Sequence, residues 1–198
     1  KARGSSMRAA PSCPGAWARA DPAPRIIAAA SSAIVQRRRL GQRVIRTYCV
    51  AKGVAVALNP VPVTDLVAAA VVDITMVVHL SRVYGLPLSR QEAGSIVKVI
   101  VAESAALMGT VWALHLVSSA LKVGTLGLST VLTAGAQGAI AYYSTYLVGQ
   151  AAAEYLAKGK SWGTGGPKHV VKSILDSLDR DTVLRDAKRE IQARLGLS

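Results

Sequence analysis

Residues 104–121 read SAALMGTVWALHLVSSAL and contain no Lys, Arg, Asp or Glu. After Lys122, a second uncharged run of 31 residues extends from 123 to 153. A run of about 18 residues is near the lower limit for a helix that crosses roughly 30 Å of hydrocarbon, and the second run is long enough. The two runs predict a hydrophobic helical hairpin near residues 104–153. A hairpin buried inside a soluble bundle is the alternative.

Small residues occur at several positions in the second arm of this hairpin. Gly135 and Gly138 stand among several alanines. In apolar helices, small side chains allow the backbones of two helices to approach closely. We therefore assign Gly135 and Gly138 to helix packing.

The charges lie at the two ends of the chain. Hydrophobic residues make up 51% of the sequence and charged residues 18%, compared with about 25% charged in ordinary soluble domains. Residues 1–52 carry eleven basic side chains and one acidic one, residues 53–153 are neutral, and residues 154–198 carry nine basic and six acidic side chains. A neutral apolar middle between basic ends indicates a membrane protein whose ends face one anionic surface.

The N-terminal 25 residues are rich in Arg and contain Asp21 as their one acid. Such composition is typical of organellar transit peptides. A transit-peptide remnant, an arm ordered by a partner and a disordered basic tail all fit it. We divide the chain into a basic arm with a surface helix, residues 1–43, and a helical membrane domain, residues 44–198.

A helix is expected from about Pro24 to Leu58, since proline suits the first turn of a helix. Its cations favour a place on the membrane surface, with roughly 1 kcal/mol of attraction to anionic lipid for each. They are Arg37, Arg38, Arg39, Arg43, Arg46 and Lys52. Arginine runs also bind nucleic acid, but Tyr48 is the one aromatic residue among them, so stacking partners for bases are missing and we exclude nucleic acid.

A rigid corner is expected at residues 59–65, NPVPVTD. Asn59, Pro60, Pro62 and Asp65 define it, because Pro60 forces Asn59 out of the helical region and Thr64 or Asp65 can cap the next helix. The less favoured interpretation is that Asn59 and Asp65 form a polar pair that binds an ion or substrate.

The following helix, to about Leu80, contains Asp73 and His79, which make a bilayer crossing costly and favour a buried or interfacial position. Gly85 is expected to end this helix in the left-handed region, and Ser89 with Glu92 forms a capping-box pattern for the next one.

The C-terminal part predicts amphipathic helices within residues 167–195, with Asp181 as the cap of the second helix and Glu190 paired with Arg194. A turn precedes these helices, and its residues are Trp162, Gly163, Gly165 and Gly166. Gly159, Lys160 and Ser161 end like a phosphate-binding loop, but Glu154 occupies the position of the first glycine. Nucleotide binding is therefore not expected.

No catalytic set is evident. The two cysteines, Cys13 and Cys49, and the three histidines share no spacing typical of a metal site or a nucleophile with its base. We predict no enzyme activity, no metal and no cofactor. The predicted fold class is all-α: a membrane-associated helical bundle with a hydrophobic hairpin and an extended basic N-terminal arm.

Four stretches together resemble a known domain of unknown function. They are the corner at 59–65, SRVYG at 81–85, the glycine-rich hairpin through 137–139, and KSWGTGG at 160–166. In order and spacing they are similar to an uncharacterised membrane domain, YcjF-like, that accompanies Era-like GTPases in bacteria, cyanobacteria and chloroplasts. The resemblance covers residues 44–198, implies a membrane-embedded protein, and offers no catalytic residues.

From these features we expect a non-enzymatic subunit that anchors or stabilises a larger membrane protein complex, with lipids and other subunits as partners. The resemblance and the transit-like arm place it in a chloroplast membrane, either thylakoid or inner envelope. One alternative is a membrane anchor or effector for a GTPase acting in trans. A second is a small oligomeric channel, although the uncharged hairpin lacks a ring-forming set of charges.

Overall fold

The computed structural model describes the backbone of residues 23–58, 65–123 and 130–196, and the side chains of residues 30–58, 69–109 and 137–196. Six α-helices and no strands occupy this described part, which confirms the all-α prediction. They are α1 (Ala23–Leu58), α2 (Asp65–Val83), α3 (Arg90–Val123), α4 (Thr130–Ala157), α5 (Gly166–Ser177) and α6 (Arg180–Arg194).

The chain divides into two compact units. The first, Lys1–Val35, includes the N-terminal part of α1, whose described side chains, from residue 30 onward, are exposed. The second, Gln36–Ser198, contains the rest of α1, the other five helices and the hydrophobic core.

Local signals fix the junction between α2 and α3. Gly85 has φ +72°, the left-handed conformation that ends α2, as predicted. The capping box at the start of α3 is confirmed: the Ser89 N–H donates to Glu92 Oε2 at 2.7 Å, and the Glu92 N–H donates to Ser89 Oγ at 3.2 Å.

The cap of α6 differs from the prediction. Asp179, not Asp181, is the N-cap, and its Oδ1 accepts hydrogen bonds from the backbone N–H groups of Asp181 and Thr182. Leu178 ends α5 in an extended conformation, so the chain leaves the helical conformation one residue before Asp179. Asp181 therefore already lies in the first turn of α6.

The central helix of the second unit is α4, which contacts α2, α3, α5 and α6 and, through Gly138 and Gly149, also α1. Its apolar side chains between residues 139 and 156 are mostly buried by these helices. The buried set is Ala139, Tyr142, Tyr143, Leu147, Val148, Ala151, Ala152, Ala153 and Leu156. Other helices of the protein therefore cover most apolar side chains in the C-terminal half of the second uncharged run.

No helix within the described segments combines the length and apolar character that crossing a membrane requires. The predicted hairpin near 104–153 falls on α3 and α4, but the link at 124–129 and the side chains of 110–136 lie outside the described residues.

Candidate functional site

Three polar side chains from three helices meet in the core. Lys52 Nζ on α1 lies 2.7 Å from Asp73 Oδ2 on α2, and the hydroxyl of Thr145 on α4 donates to Asp73 Oδ1 at 2.8 Å. Lys52 is 7% exposed, Asp73 5% and Thr145 0%. We call these three residues the buried polar cluster.

Helical periodicity positions each member of this cluster. Asp73 shares one face of α2 with Met76, Val77 and Leu80, which are all fully buried. Lys52 similarly follows Ile45 and Cys49 along the inner face of α1. The prediction that Lys52 is a surface cation is therefore wrong. The spacing of Lys52 from Ile45 and Cys49 was the available signal, because residues 3, 4 and 7 positions apart share a helix face.

The buried polar cluster is chemically closed. Asp73 uses both carboxylate oxygens, and among the described side chains no buried nitrogen or oxygen lacks a hydrogen-bond partner. A charge buried in a protein is tolerable when it is paired and hydrogen-bonded in this way. The cluster therefore joins three helices and specifies how they align.

Cys49 lies one turn before Lys52 and is fully buried. Burial raises the pKa of its thiol well above the ordinary value, and the nearby Asp73 carboxylate adds to this effect. The thiol consequently stays protonated and unreactive at neutral pH, as expected for a small apolar core residue.

Glycines bring α1 and α4 into backbone contact. A Cβ built on Gly138 would lie 2.6 Å from the carbonyl oxygen of Gly53, and one on Gly149 would lie 2.8 Å from the side chain of Ile45. Gly138, assigned to helix packing from the sequence, thus lies directly against α1. For Gly135 only the backbone of α4 is described, and its surroundings are not.

The five arginines predicted to contact membrane or partner are all exposed on α1. They are Arg37, Arg38, Arg39, Arg43 and Arg46. Arg37 donates to the backbone carbonyl of Tyr84 at 3.5 Å. Arg46 Nη2 lies 3.2 Å from both carboxylate oxygens of Glu190 on α6. This hydrogen bond, with the charge of Glu190, raises the pKa of Arg46. Glu190 thus pairs with α1 instead of the expected Arg194.

The tail turn links α4 to α5. Trp162 packs on Tyr155 with ring centroids 4.6 Å apart, while Gly163 and Gly166 have positive φ values of 73° and 69°. Gly165 leaves no room for a side chain, because a Cβ would lie 2.6 Å from that of His169. These four residues build a compact structural turn.

The phosphate-loop-like segment before this turn has another role. Lys160 Nζ donates to the carbonyl of Pro87 at 3.1 Å, so it ties the segment before the tail turn to the α2–α3 junction. Glu154 forms an ion pair with Lys158 at 3.1 Å. Both contacts stabilise the local structure at the end of α4.

The predicted corner at residues 59–65 lies almost entirely in a part of the chain that the structure does not describe. Asn59, Pro60 and Pro62 lie outside the described residues, and so does the side chain of Asp65, although α2 begins at Asp65. Within the described part of the chain, no group of three or more His, Cys, Asp or Glu side chains is placed to hold a metal ion.

Two grooves open on the surface of the second unit. One, of about 430 Å³, lies between α4 and α5 and is lined by Tyr146, Gln150, Glu154, Lys158 and His169, among others. The other, of about 790 Å³, lies between α1 and α6 and includes Arg43, Arg46 and Arg194 above an apolar floor.

Comparison with known families gives one match. Residues 25–180 match the family described as Domain of unknown function (DUF697), and this range includes most of α1 and extends through the start of α6. No curated protein and no solved structure matches the chain. Since the matched range covers well over half of the sequence, the chain belongs to the DUF697 family.

Proposed function

We propose that this chain is a non-enzymatic membrane subunit that anchors or stabilises a larger protein complex. The observation that carries the proposal is a set of exposed apolar side chains on α1, α2, α3 and α4, together with the exposed arginines of α1. The closed hydrogen bonding of the buried polar cluster supports a structural role for the core.

The exposed apolar set consists of side chains on α1 to α4 in the described part of the chain. They are Leu58 (66% exposed), Val71 (54%), Val99 (37%), Val101 (50%) and Ile140 (42%), while three further exposed apolar side chains, Ile34, Val35 and Leu40, lie beside the arginines of α1. A few exposed apolar residues are normal on any protein surface, so their grouping is what matters.

Helix register gives the positions of these residues relative to the buried polar cluster. Leu58 lies six residues beyond Lys52 on α1, and Ile140 lies five residues before Thr145 on the oppositely directed α4. Val101 lies seven residues beyond Gly94, which contacts Ile74 next to Asp73. At about 1.5 Å per residue, Leu58 lies roughly 9 Å beyond Lys52, whereas Ile140, two residues from Gly138, lies about level with Lys52 and Gly53.

The end of the bundle near Gly41 and Tyr84 is strongly basic. Arg37, Arg38 and Arg39 precede Gly41, which contacts Tyr84 at the end of α2, and Lys160 reaches Pro87 in the same region. Exposed apolar side chains together with exposed arginines suit a membrane position in which the arginines face anionic headgroups.

Vesicle flotation tests the membrane part of this proposal. Val101→Lys and Ile140→Lys add charge to the exposed apolar set and should reduce the fraction that floats with phosphatidylcholine–phosphatidylglycerol vesicles. Ala157→Lys adds the same charge at the exposed C-terminal end of α4 and should leave flotation unchanged. Equal flotation of all variants, or none of the parent protein, would contradict it.

Crosslinking mass spectrometry on native membranes tests the subunit part. We expect reproducible crosslinks from lysines of this chain to other membrane proteins. A protein that extracts in mild detergent as a monomer with a protease-sensitive N-terminal arm would show that the complex does not exist.

We further propose a chloroplast membrane, thylakoid or inner envelope, as the location. The arginine-rich, acid-poor arm and the resemblance to a plastid-associated domain support it. Fractionation of purified chloroplasts, followed by antibody detection in envelope and thylakoid fractions, tests the proposal. Detection in another organelle's membrane would refute it.

The family match favours one alternative, an anchor or effector for a GTPase acting in trans, because the domain that this sequence resembles accompanies Era-like GTPases. A pull-down from organelle extract with a non-hydrolysable GTP analogue and with GDP distinguishes it. A partner retained with one nucleotide only supports the alternative, and an identical set of partners with both excludes it.

A further inference from the structure

The groove between α1 and α6 combines charge with an apolar floor. Six of its lining residues lie on one face of α1 and two on α6. The α1 residues are Arg43, Arg46, Thr47, Val50, Ala51 and Val54, and the α6 residues are Glu190 and Arg194. We call this feature the α1–α6 groove.

Polarity changes along its length. Arg43 and Arg46 line the part of α1 nearer the basic end, and Val50 and Val54 follow one and two turns later, toward the C-terminal end of α1. The distance from Arg43 to Val54 along the helix axis is about 16 Å. The α1 wall of the groove therefore carries cations at one end and apolar side chains at the other, while Arg194 on α6 lies one turn beyond Ile191, which approaches Gly53.

The cations of the groove exceed its anions. Glu190 neutralises Arg46, with which it forms an ion pair at 3.2 Å. Within the described residues Arg43 and Arg194 form no ion pair, so two positive charges remain available to a ligand. Arginine is well suited to phosphate because its planar guanidinium group can donate two parallel hydrogen bonds.

We propose that the α1–α6 groove binds one anionic phospholipid, with its phosphate held by the arginines of the groove that have no ion-pair partner and an acyl chain along Val50, Ala51 and Val54. The proposal rests on the proposed membrane function, because the bilayer supplies the lipid. A free phosphate would use the arginines alone and leave the apolar floor in water, whereas an acyl chain covers it.

Binding of soluble, short-chain lipids tests the proposal without a membrane. Dihexanoyl phosphatidylglycerol and dihexanoyl phosphatidylcholine, below their micelle concentrations, are titrated into the purified full chain in a nonionic detergent by calorimetry. We expect phosphatidylglycerol to bind at least tenfold more tightly. Glycerol phosphate and inorganic phosphate, which lack the chain, should bind at least tenfold more weakly than phosphatidylglycerol.

Matched variants locate the site. Arg43→Gln combined with Arg194→Gln should weaken phosphatidylglycerol binding at least tenfold, and Val54→Gln should weaken it severalfold by adding polarity to the floor. Arg82→Gln combined with Arg90→Gln removes the same total charge from exposed positions outside the groove and should change little. Because all four arginines are exposed, these variants should keep the parent circular dichroism spectrum and melting temperature.

Three outcomes would overturn the proposal: equal affinity for the two lipids, equal affinity for phosphate and lipid, or equal loss in the two double variants. The last would identify diffuse attraction to the basic end. If short-chain lipid does not bind but the protein floats normally with vesicles, the groove site is wrong and the membrane function stands. If the protein does not float but binds short-chain lipid tightly, the membrane function is wrong and the protein binds lipid in the groove.

Discussion

A β-carbon on Gly138 would lie 2.6 Å from the carbonyl oxygen of Gly53, and one on Gly53 would lie 3.0 Å from that of Gly138. The backbones of α1 and α4 therefore touch at this crossing. The buried polar cluster lies within two turns of it on both helices, so the close approach and the cluster jointly set the alignment of α1 on α4.

Gly138→Ala should destabilise the fold by about 1–3 kcal/mol, because the new methyl group meets backbone that cannot move aside. This exceeds the gain of up to about 1 kcal/mol that alanine brings to a helix interior. Gly94→Ala is the control, since its Cβ would make an ordinary 3.6 Å contact with Ile74. Denaturant unfolding followed by circular dichroism measures both, and a Gly138→Ala protein as stable as the control would refute the close contact.

Lys52→Met should cost about 3–5 kcal/mol, because it leaves the Asp73 carboxylate buried without its cation. Adding Asp73→Leu should recover much of this loss, since neither charge then remains in the core. The Thr145 hydroxyl can still donate to a carbonyl on its own helix. A double-mutant cycle of unfolding free energies gives the coupling. Additive losses would show that the two residues do not interact.

The capping box should make stability depend on acid. The pKa of Glu92 is lowered from its ordinary value of 4.5, first by the Ser89 backbone N–H and then by the Ser89 side chain. A carboxyl group with a lowered folded pKa stabilises the protein above its unfolded pKa and loses that contribution as the pH falls through the folded pKa. Stability should therefore decline below about pH 4.5.

Glu92→Gln isolates this effect, because glutamine still accepts a hydrogen bond but does not titrate. The parent should melt at a higher temperature than the variant above pH 4.5, and the difference should shrink as the pH falls below it. Melting curves at several pH values measure this difference. A difference that stays constant with pH would mean that the Glu92 charge does not contribute.

Asp179→Ala should lower the melting temperature, because the N–H groups of Asp181 and Thr182 lose their acceptor. Asp181→Ala should have a smaller effect, since Asp181 lies in the first turn and contributes charge only near the helix N-terminus. Asp179→Asn, which caps about as well as aspartate, should be nearly silent. A larger loss from Asp181→Ala would contradict the observed cap.

At the start of α2, Asp65→Asn should be nearly silent and Asp65→Ala should cost about 0.5–2 kcal/mol if Asp65 is a helix cap. A functional carboxylate would give another pattern, in which Asp65→Asn abolishes assembly at full thermal stability. Melting temperature and co-purification with crosslinked partners, measured on both variants, distinguish these outcomes.

Much of the helical organisation was predictable from the sequence by itself, because its signals are local. The end of α2 at Gly85 and the start of α3 at Ser89 depend on hydrogen bonds between residues at most a few positions apart. The cap of α6 shows the limit of such signals. Asp179 and Asp181 are both competent caps, and the extended backbone at Leu178 selects the first.

The tertiary structure alone decided which polar residues enter the core. Lys52 resembles the five arginines before it in charge, yet it meets Asp73, 21 positions away, and Asp73 meets Thr145 across 72 positions. A lysine is buried only where its partner is buried beside it, and that partner is known only after the helices pack. The sequence determined the six helices of the described segments and a basic end. Packing determined that one cation of that series would hold the core together while the arginines stayed outside.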